Sequence, residues 1–253
     1  MKRLAILVSV LLFMFVLGGC GVKDSAAPES VQVVKEDTEK PESADTTECD
    51  AEQPENTDDE SKNSDTVGNS EEKMAQGGSN ALVVYFSRTG EQYGVGVIDK
   101  GNTAIVADMI VDVTGADSFE ILPKEDYYPY TYDELCDVAK QELNDNARPA
   151  IKDAAPDLSG YDVIFIGAPV WWGDWPMIMY TFFEENADAL AGKTLIPFST
   201  HAGSGLSGFD SKLSKALPDS TVGTGLAIAG TDAQNDQTAV KEKVSDWLTE
   251  FGY

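Results

Sequence analysis

Residues 161–173 read YDVIFIGAPVWWG, and this stretch is the strongest indication of the fold class. Its first half is short, apolar and β-branched, which predicts a strand buried on both faces. Pro169 and Gly173 end that strand, so Trp171 and Trp172 fall on the following loop. In open parallel sheets, ligands bind in the crevice beyond the carboxyl ends of the strands. Two flat side chains there favour a flat aromatic ligand, and a role in capping the core is equally open at this point.

Apolar runs and amphipathic stretches alternate along the rest of the chain from residue 80. The strands are predicted at residues 81–86, 117–121, 162–167, 193–199 and 222–228. The helices are predicted at residues 103–114, 132–144, 178–185, 209–217 and 237–250. Such alternation is typical of a doubly wound α/β fold with a five-stranded parallel sheet. The common strand order is 2-1-3-4-5, with helices on both faces and the switch point between the first and third strands.

The first 20 residues have the pattern of an export signal. Lys2 and Arg3 precede an uncharged apolar run at residues 4–17, which is shorter than the about 20 residues of a spanning helix. The run ends in Leu17-Gly18-Gly19-Cys20, which resembles the lipobox of bacterial lipoproteins. The resemblance implies that Cys20 is lipidated and that the protein is anchored at the extracytoplasmic face of the cell membrane. An ordinary secretory signal is the alternative.

Residues 21–79 are predicted to be a disordered acidic tether. Residues 21–78 carry 17 acidic residues against 5 lysines and have few aliphatic side chains, so they cannot bury enough apolar surface to offset their ordering entropy. Residues 80–253 then form one domain. This domain carries 27 acidic residues against 11 basic ones, a net charge of −16, which argues against nucleic-acid binding because that function needs a positive surface. A basic or membrane-embedded protein is the more natural partner.

The three cysteines and the single histidine argue against disulfide, metal and hydrolytic sites in the domain. Cys20 belongs to the signal, Cys49 to the tether and Cys136 to a predicted helix, and their spacing indicates neither a disulfide within the domain nor a metal site. His201 is the only histidine, and the neighbouring Gly203-Ser204-Gly205 lacks the G-x-S-x-G spacing of a hydrolase elbow. We therefore expect no nucleophilic catalytic residue and no metal.

Three loops are predicted to meet at one edge of the sheet, because they follow strands one, three and four. The first runs through Ser87-Arg88-Thr89-Gly90 and resumes at Gly101-Asn102-Thr103, where a helix begins. Backbone N–H groups and hydroxyls at a helix start can bind phosphate, and Asn102 can alternatively cap the helix. The third loop, residues 199–208, has three glycines that let a ligand approach the backbone. Together the loops predict a site for a phosphorylated planar heterocycle.

These motifs resemble those of the flavodoxins, specifically the bacterial flavodoxin-like subgroup with an extended phosphate loop. The likeness covers residues 80–253. It rests on Tyr85-Phe86-Ser87-Arg88-Thr89-Gly90, Gly101-Asn102-Thr103, Gly167-Ala168-Pro169-Val170-Trp171-Trp172-Gly173, Thr200-His201-Ala202-Gly203-Ser204-Gly205, and the stretch Asn144-Asp145-Asn146-Ala147-Arg148-Pro149 before the third strand.

The resemblance implies a flavodoxin-like fold and non-covalent binding of FMN. Phosphate contacts are expected from Ser87, Arg88 (through its backbone), Thr89, Gly90, Asn102 and Thr103. The flavin ring is expected to stack on Trp171 or Trp172. The other implied contacts to the ring and its surroundings come from Pro169, Val170, Gly173, His201, Gly203, Ser204 and Gly205.

The sequence departs from the family pattern at two places. Residues 91–100 interrupt the phosphate motif, which usually runs S/T-x-T-G-N-T, and residues 200–208 lack the usual tyrosine of the second flavin loop. Tyr127, Tyr128 or Tyr130 is the candidate to cover the other face of the ring.

The expected role is electron transfer between bound FMN and a membrane or membrane-surface redox protein, a role that requires no catalytic side chain. An NAD(P)H- or quinone-dependent flavin oxidoreductase of the same fold is the alternative, with His201 as a proton donor. A module that has lost its cofactor is disfavoured by the phosphate-type loops. A phospho-receiver domain is excluded, because Ser87-Arg88 stands where that fold needs acidic residues.

Overall fold

Six parallel strands form the central sheet of the computed structural model, which describes residues 80–253. The sheet comprises β1 (Ala81–Phe86), β4 (Asp117–Ile121), β5 (Val163–Pro169), β6 (Thr194–His201), β7 (Thr221–Val222) and β8 (Leu226–Ala229). Its order is β4-β1-β5-β6, with β7 and β8 both pairing with β6. This is the predicted order 2-1-3-4-5, with the fifth strand in two pieces. The predicted signal with Cys20 and the predicted tether lie outside the described residues.

Seven helices flank this sheet within the described part of the chain. They are α1 (Asn102–Thr114), α2 (Tyr132–Asn144), α3 (Met177–Glu185), α4 (Ala187–Leu190), α5 (Phe209–Ala216), α6 (Gly230–Asn235) and α7 (Gln237–Thr249). The short α4 and α6 were not predicted. Among residues 80–253, none of the helices is long and apolar enough to cross a membrane.

The strands bury apolar side chains on both faces, as their sequences predict. Along β1, Leu82 and Val84 pack with residues of α2, α3 and α5, whereas Val83 packs with residues of α1 and α7. This alternation follows from the two-residue period of a strand. Two apolar layers result, one on each side of the sheet, and the carboxyl ends of the strands are left to the loops.

The loop after β6 packs against the interruption of the fifth strand. β7 ends at Val222 and β8 begins at Leu226, and a Cβ added to Gly225 would come 2.6 Å from Leu206 Cδ2. Leu206 belongs to the loop after β6, so this loop packs where the strand is broken.

The insertion at residues 91–100 forms an antiparallel hairpin of its own. Its strands are β2 (Gly90–Gln92) and β3 (Gly96–Ile98), and Gly90 pairs with Ile98. Ile98 is buried, whereas Val97 is exposed. The hairpin therefore has an inner and an outer side.

Cys136 is buried in α2 and takes part in a disulfide bond. Residues 80–253 contain no second cysteine. The sequence spacing did not indicate this bond.

Candidate functional site

A small cavity lies where the loops after β1, β5 and β6 meet. Its volume is about 60 Å³. Five of its lining residues belong to the set predicted from sequence: Asn102, Pro169, Val170, Trp171 and His201. The remaining lining residues are Gln92, Tyr93, Tyr132, Leu135, Ala139, Thr200, Ala202 and Gly230. The predicted convergence of three loops is thus present, and the hairpin and α2 contribute further walls.

The start of α1 gathers the predicted phosphate-binding hydroxyls. Ser87 Oγ accepts a hydrogen bond from Ala104 N at 3.1 Å, and the hydroxyls of the buried Thr103 and Thr200 lie 2.7 Å apart. A Cβ added to Gly101 would collide with Ser87 Oγ, so only glycine fits there. Gly101 occupies the cap position before α1 without a side-chain cap. The alternative that Asn102 caps this helix is therefore wrong, because Asn102 is its first residue.

The side chain of Arg88 points away from the start of α1. Its guanidinium forms an ion pair with Asp126 at 2.8 Å, donates to Tyr128 O at 3.0 Å, and lies over the Tyr128 ring. Arg88 therefore holds the segment after β4 through its side chain, and its Nε atom is buried without a hydrogen-bond partner among residues 80–253. The contact of its backbone with phosphate stays a prediction. Thr89 is exposed, and Gly90 begins the hairpin.

A tight turn separates the two tryptophans. Trp171 and Asp174 exchange backbone hydrogen bonds of 3.0 and 3.1 Å, and the residues between them, Trp172 and Gly173, have φ of 53° and 68°. Positive φ at both central residues is the pattern of a type I′ turn. Trp171 is buried and lines the cavity. Trp172 instead donates from Nε1 to Cys136 O at 3.0 Å and lies under the ammonium of Lys140.

The glycine-rich loop after β6 contributes its first part to the cavity. β6 extends through His201, whose Nδ1 accepts a hydrogen bond from Gly203 N at 3.1 Å. The Gly205 carbonyl accepts from Ser199 Oγ at 3.0 Å, and the Ser204 carbonyl from Ser207 Oγ at 3.3 Å. Gly203, Ser204 and Gly205 are not among the residues that line the cavity.

Lys212 joins two of the loops. From α5, its ammonium donates to Gly173 O and, at 2.9 Å, to Ser207 O, and lies 3.6 Å from Asp174 Oδ1. One cation therefore holds the tryptophan turn against the loop after β6. No sequence pattern indicates this role, because a lysine on an amphipathic helix is ordinarily solvated.

The Tyr128 ring packs edge-on against the Trp171 ring. The centroids of their rings are 5.3 Å apart, and the Tyr128 hydroxyl donates to Glu142 Oε2 at 3.3 Å. Tyr127 donates to the other carboxylate oxygen of this buried glutamate. Burial raises the pKa of Glu142, and the two tyrosine hydrogen bonds oppose that rise. Burial and the bond to Glu142 raise the pKa of Tyr127 to about 12.

The three tyrosines suggested as a second flavin cover do not line the cavity. Tyr128 and Tyr127 are bound to Glu142, and Tyr130 is 60% exposed beside Gly90. The tyrosines that do line it are Tyr93, from the hairpin, and Tyr132, from α2. The interruption of the phosphate motif was the only sequence signal that pointed toward the hairpin.

No group of His, Cys, Asp and Glu within residues 80–253 is arranged to hold a metal ion. The lining of the cavity suits an organic phosphate, since it includes Asn102 at the start of α1, an aromatic wall, and Gln92, whose amide nitrogen is buried without a hydrogen-bond partner among residues 80–253. These features fit a flavin mononucleotide.

Comparison with known proteins gives a consistent result. The profile of the flavodoxin family matches residues 80–248. A flavoprotein from Bacteroides eggerthii is 32% identical with a TM-score of 0.53, and the match covers 69% of this chain and 99% of that one. A flavoprotein from Bacteroides uniformis is 29% identical with a TM-score of 0.54, and the match covers 68% and 99%.

A flavoprotein from Lactobacillus acidophilus, solved in complex with FMN, is 21% identical with a TM-score of 0.49, and the match covers 64% of this chain and 99% of that one. A comparison with curated protein sequences gives no match.

Proposed function

The chain belongs to the flavodoxin family, and from that membership we propose that it binds FMN non-covalently at the carboxyl edge of its sheet and transfers electrons. The observation that carries the proposal is the meeting of Asn102 at the start of α1, Trp171 on the loop after β5 and His201 at the end of β6 around one cavity. Family membership supports FMN as the cofactor. When bound, FMN supplies the electron-transfer chemistry, and the protein binds and orients it.

The residues at the start of α1 would hold the phosphate. This helix has 13 residues, and the unsatisfied N–H groups and dipole at its amino terminus favour an anion. Ser87 and Thr103 add hydroxyl groups at the same end. Trp171 would provide a flat surface for the ring, and Lys212 would keep the loops that carry Trp171 and Ser207 at a fixed spacing.

The test is retention of FMN by the full-length protein in detergent. We expect flavin absorbance and quenched flavin fluorescence to remain with the protein after mixing and desalting. Riboflavin, which lacks the phosphate, is the matched control and should be retained less. Loss of FMN on the column at micromolar protein would overturn the proposal.

We further propose that the protein is a lipoprotein tethered through Cys20 at the extracytoplasmic face, and that it exchanges electrons with a membrane or membrane-surface redox protein. Support comes from the apolar run at residues 4–17 that ends in Leu17-Gly18-Gly19-Cys20. Two or three acyl chains would anchor it stably, since each buried CH₂ adds about 0.8 kcal/mol. We expect Cys20→Ala to move the protein out of the lipid-modified membrane fraction, and unchanged labelling by a radioactive fatty acid would contradict this.

An NAD(P)H- or quinone-dependent flavin oxidoreductase is the second candidate. The observation that favours it is the position of His201 on the cavity wall, where an imidazole can donate a proton. Steady-state turnover of a quinone by the FMN-loaded protein, lost in His201→Ala, would support the oxidoreductase. Reduction only through a protein donor would support the electron carrier.

A further inference from the structure

The β2–β3 hairpin is bound to the start of α2. Glu91 N donates to Tyr130 O at 2.9 Å, and the Glu91 carboxylate accepts a hydrogen bond from Tyr132 N at 3.0 Å. A carboxylate is favourable there, because the first N–H groups of a helix lack partners and carry partial positive charge. The hairpin therefore bridges from the phosphate motif to α2.

Two residues of the hairpin reach the cavity. Tyr93 lies against Tyr132 with ring centroids 5.7 Å apart, and both tyrosines line the cavity together with Gln92. The Gln92 Nε2 atom is buried and has no hydrogen-bond partner in the described part of the chain. Buried polar groups are nearly always paired in native proteins, so this nitrogen calls for an acceptor.

We propose that the hairpin is part of the cofactor site, with Gln92 donating a hydrogen bond to the polar edge of the flavin ring and Tyr93 giving the ring its second aromatic surface. The inference rests on the proposed binding of FMN. It explains why residues 200–208 contain no aromatic side chain, since Tyr93 replaces the missing one. It also explains the unpaired nitrogen, because the flavin carbonyls and ring nitrogens are acceptors.

The hairpin must also open to admit the ring. The cavity of about 60 Å³ is well below the about 300–1,000 Å³ of typical ligand pockets. The hairpin leaves the phosphate motif at Gly90, whose φ is 94° and whose added Cβ would lie 2.7 Å from Tyr130 O, so only glycine fits this junction. Opening of the hairpin would break the hydrogen bonds that Glu91 forms with Tyr130 and Tyr132.

The first test is Gln92→Leu, which keeps the size of the side chain and removes the donor. Reduction places negative charge on the polar edge of the ring, and a donor aimed there strengthens binding of the reduced form. We expect about tenfold weaker binding of reduced FMN relative to oxidised FMN, which corresponds to about 30 mV in midpoint potential for a two-electron couple. Gln141→Leu is the matched control, because Gln141 is exposed and bonds only locally to Asp145.

The second test compares tyrosines. We expect Tyr93→Ala to weaken FMN binding about tenfold and to raise the residual fluorescence of bound flavin, because it removes a stacking surface. Tyr93→Phe should keep both properties, and Tyr161→Ala, just before the amino end of β5 and outside the cavity, should change neither.

The outcomes separate the two proposals. If the wild-type protein does not retain FMN, the proposed function fails. If it retains FMN while Gln92→Leu and Tyr93→Ala match their controls in affinity, potential and fluorescence, the function stands and the role of the hairpin is overturned. Circular dichroism of each variant checks the fold, which these partly exposed positions should not disturb.

Discussion

The middle of the sheet and its carboxyl edge are held together by different forces. Phe165, Ile166 and Ile196 in the middle are fully buried and apolar, so they are stabilised by removal of surface from water. At the edge, hydrogen bonds from side chains fix the loops, as between Lys212 and the carbonyls of Gly173 and Ser207. Substitutions in the middle should therefore change stability, whereas substitutions at the edge should change ligand binding.

The largest effect is expected in the middle of the sheet. Phe165→Ala removes a fully buried ring that packs against Trp247 and Phe251, and it should lower the free energy of unfolding by about 3–5 kcal/mol. FMN affinity of the folded protein should be unchanged, because this ring lies in the layer of α1 and α7. Urea denaturation and flavin titration measure the two quantities, with the partly exposed Leu122→Ala as control. A tenfold change in FMN affinity would contradict the expectation that the middle of the sheet affects stability and not ligand binding.

The two tryptophans of the turn after β5 are expected to differ in their effect on FMN binding. Trp171→Ala should weaken FMN binding by about 1–3 kcal/mol, since it removes a stacking surface from the cavity wall. It should also lower stability, because the buried ring packs against Phe86 and Tyr128. Trp172→Ala should instead cost about 1–2 kcal/mol of stability, because it loses the bond to Cys136 O and the contact with Lys140. Isothermal titration and thermal unfolding separate these effects. Equal losses of affinity in both variants would contradict the assigned positions.

Lys212→Met tests whether one cation sets the spacing of the loops. The variant leaves the Gly173 and Ser207 carbonyls without this donor, and we expect about 1–2 kcal/mol lower stability together with faster amide exchange in the tryptophan turn. Lys215→Met on the same helix is the control. Identical exchange in the two variants would show that the edge is held by other contacts.

The smallest effect concerns Glu142, a carboxylate placed within the apolar layer. Because burial raises its pKa above the usual 4.5, the folded state binds more protons than the unfolded state just above pH 4.5, and stability falls as pH rises through this window. Glu142→Gln should remove that part of the pH dependence, with a net change at neutral pH within about 1 kcal/mol. Urea denaturation of both proteins between pH 4 and 7 measures the difference, and parallel curves would refute it.

Features that depend on local sequence were predicted well. The helix over residues 132–144 and the strand over residues 81–86 match the structure to the residue, because their apolar periods decide them. The strand order also followed from the alternation of elements. The three loops were placed correctly at one edge, because parallel strands share that edge.

Features set by contacts distant in sequence were not predicted. Which tryptophan faces the cavity depends on positive φ at Trp172, an uncommon conformation for an aromatic residue. The position of the hairpin depends on the bond between Glu91 and Tyr132, which are 41 residues apart. Neither propensity nor spacing encodes such contacts, and so no sequence pattern identified Gln92 and Tyr93 as candidate site residues.

The hairpin across the cavity has a kinetic consequence. In the proposed site, release of FMN requires the hydrogen bonds of Glu91 with Tyr130 and Tyr132 to break, so the residence time of the cofactor would depend on the opening rate of the hairpin. Affinity differences among related complexes arise mostly in the dissociation rate. A protein with such a cover would keep its cofactor through long dilution.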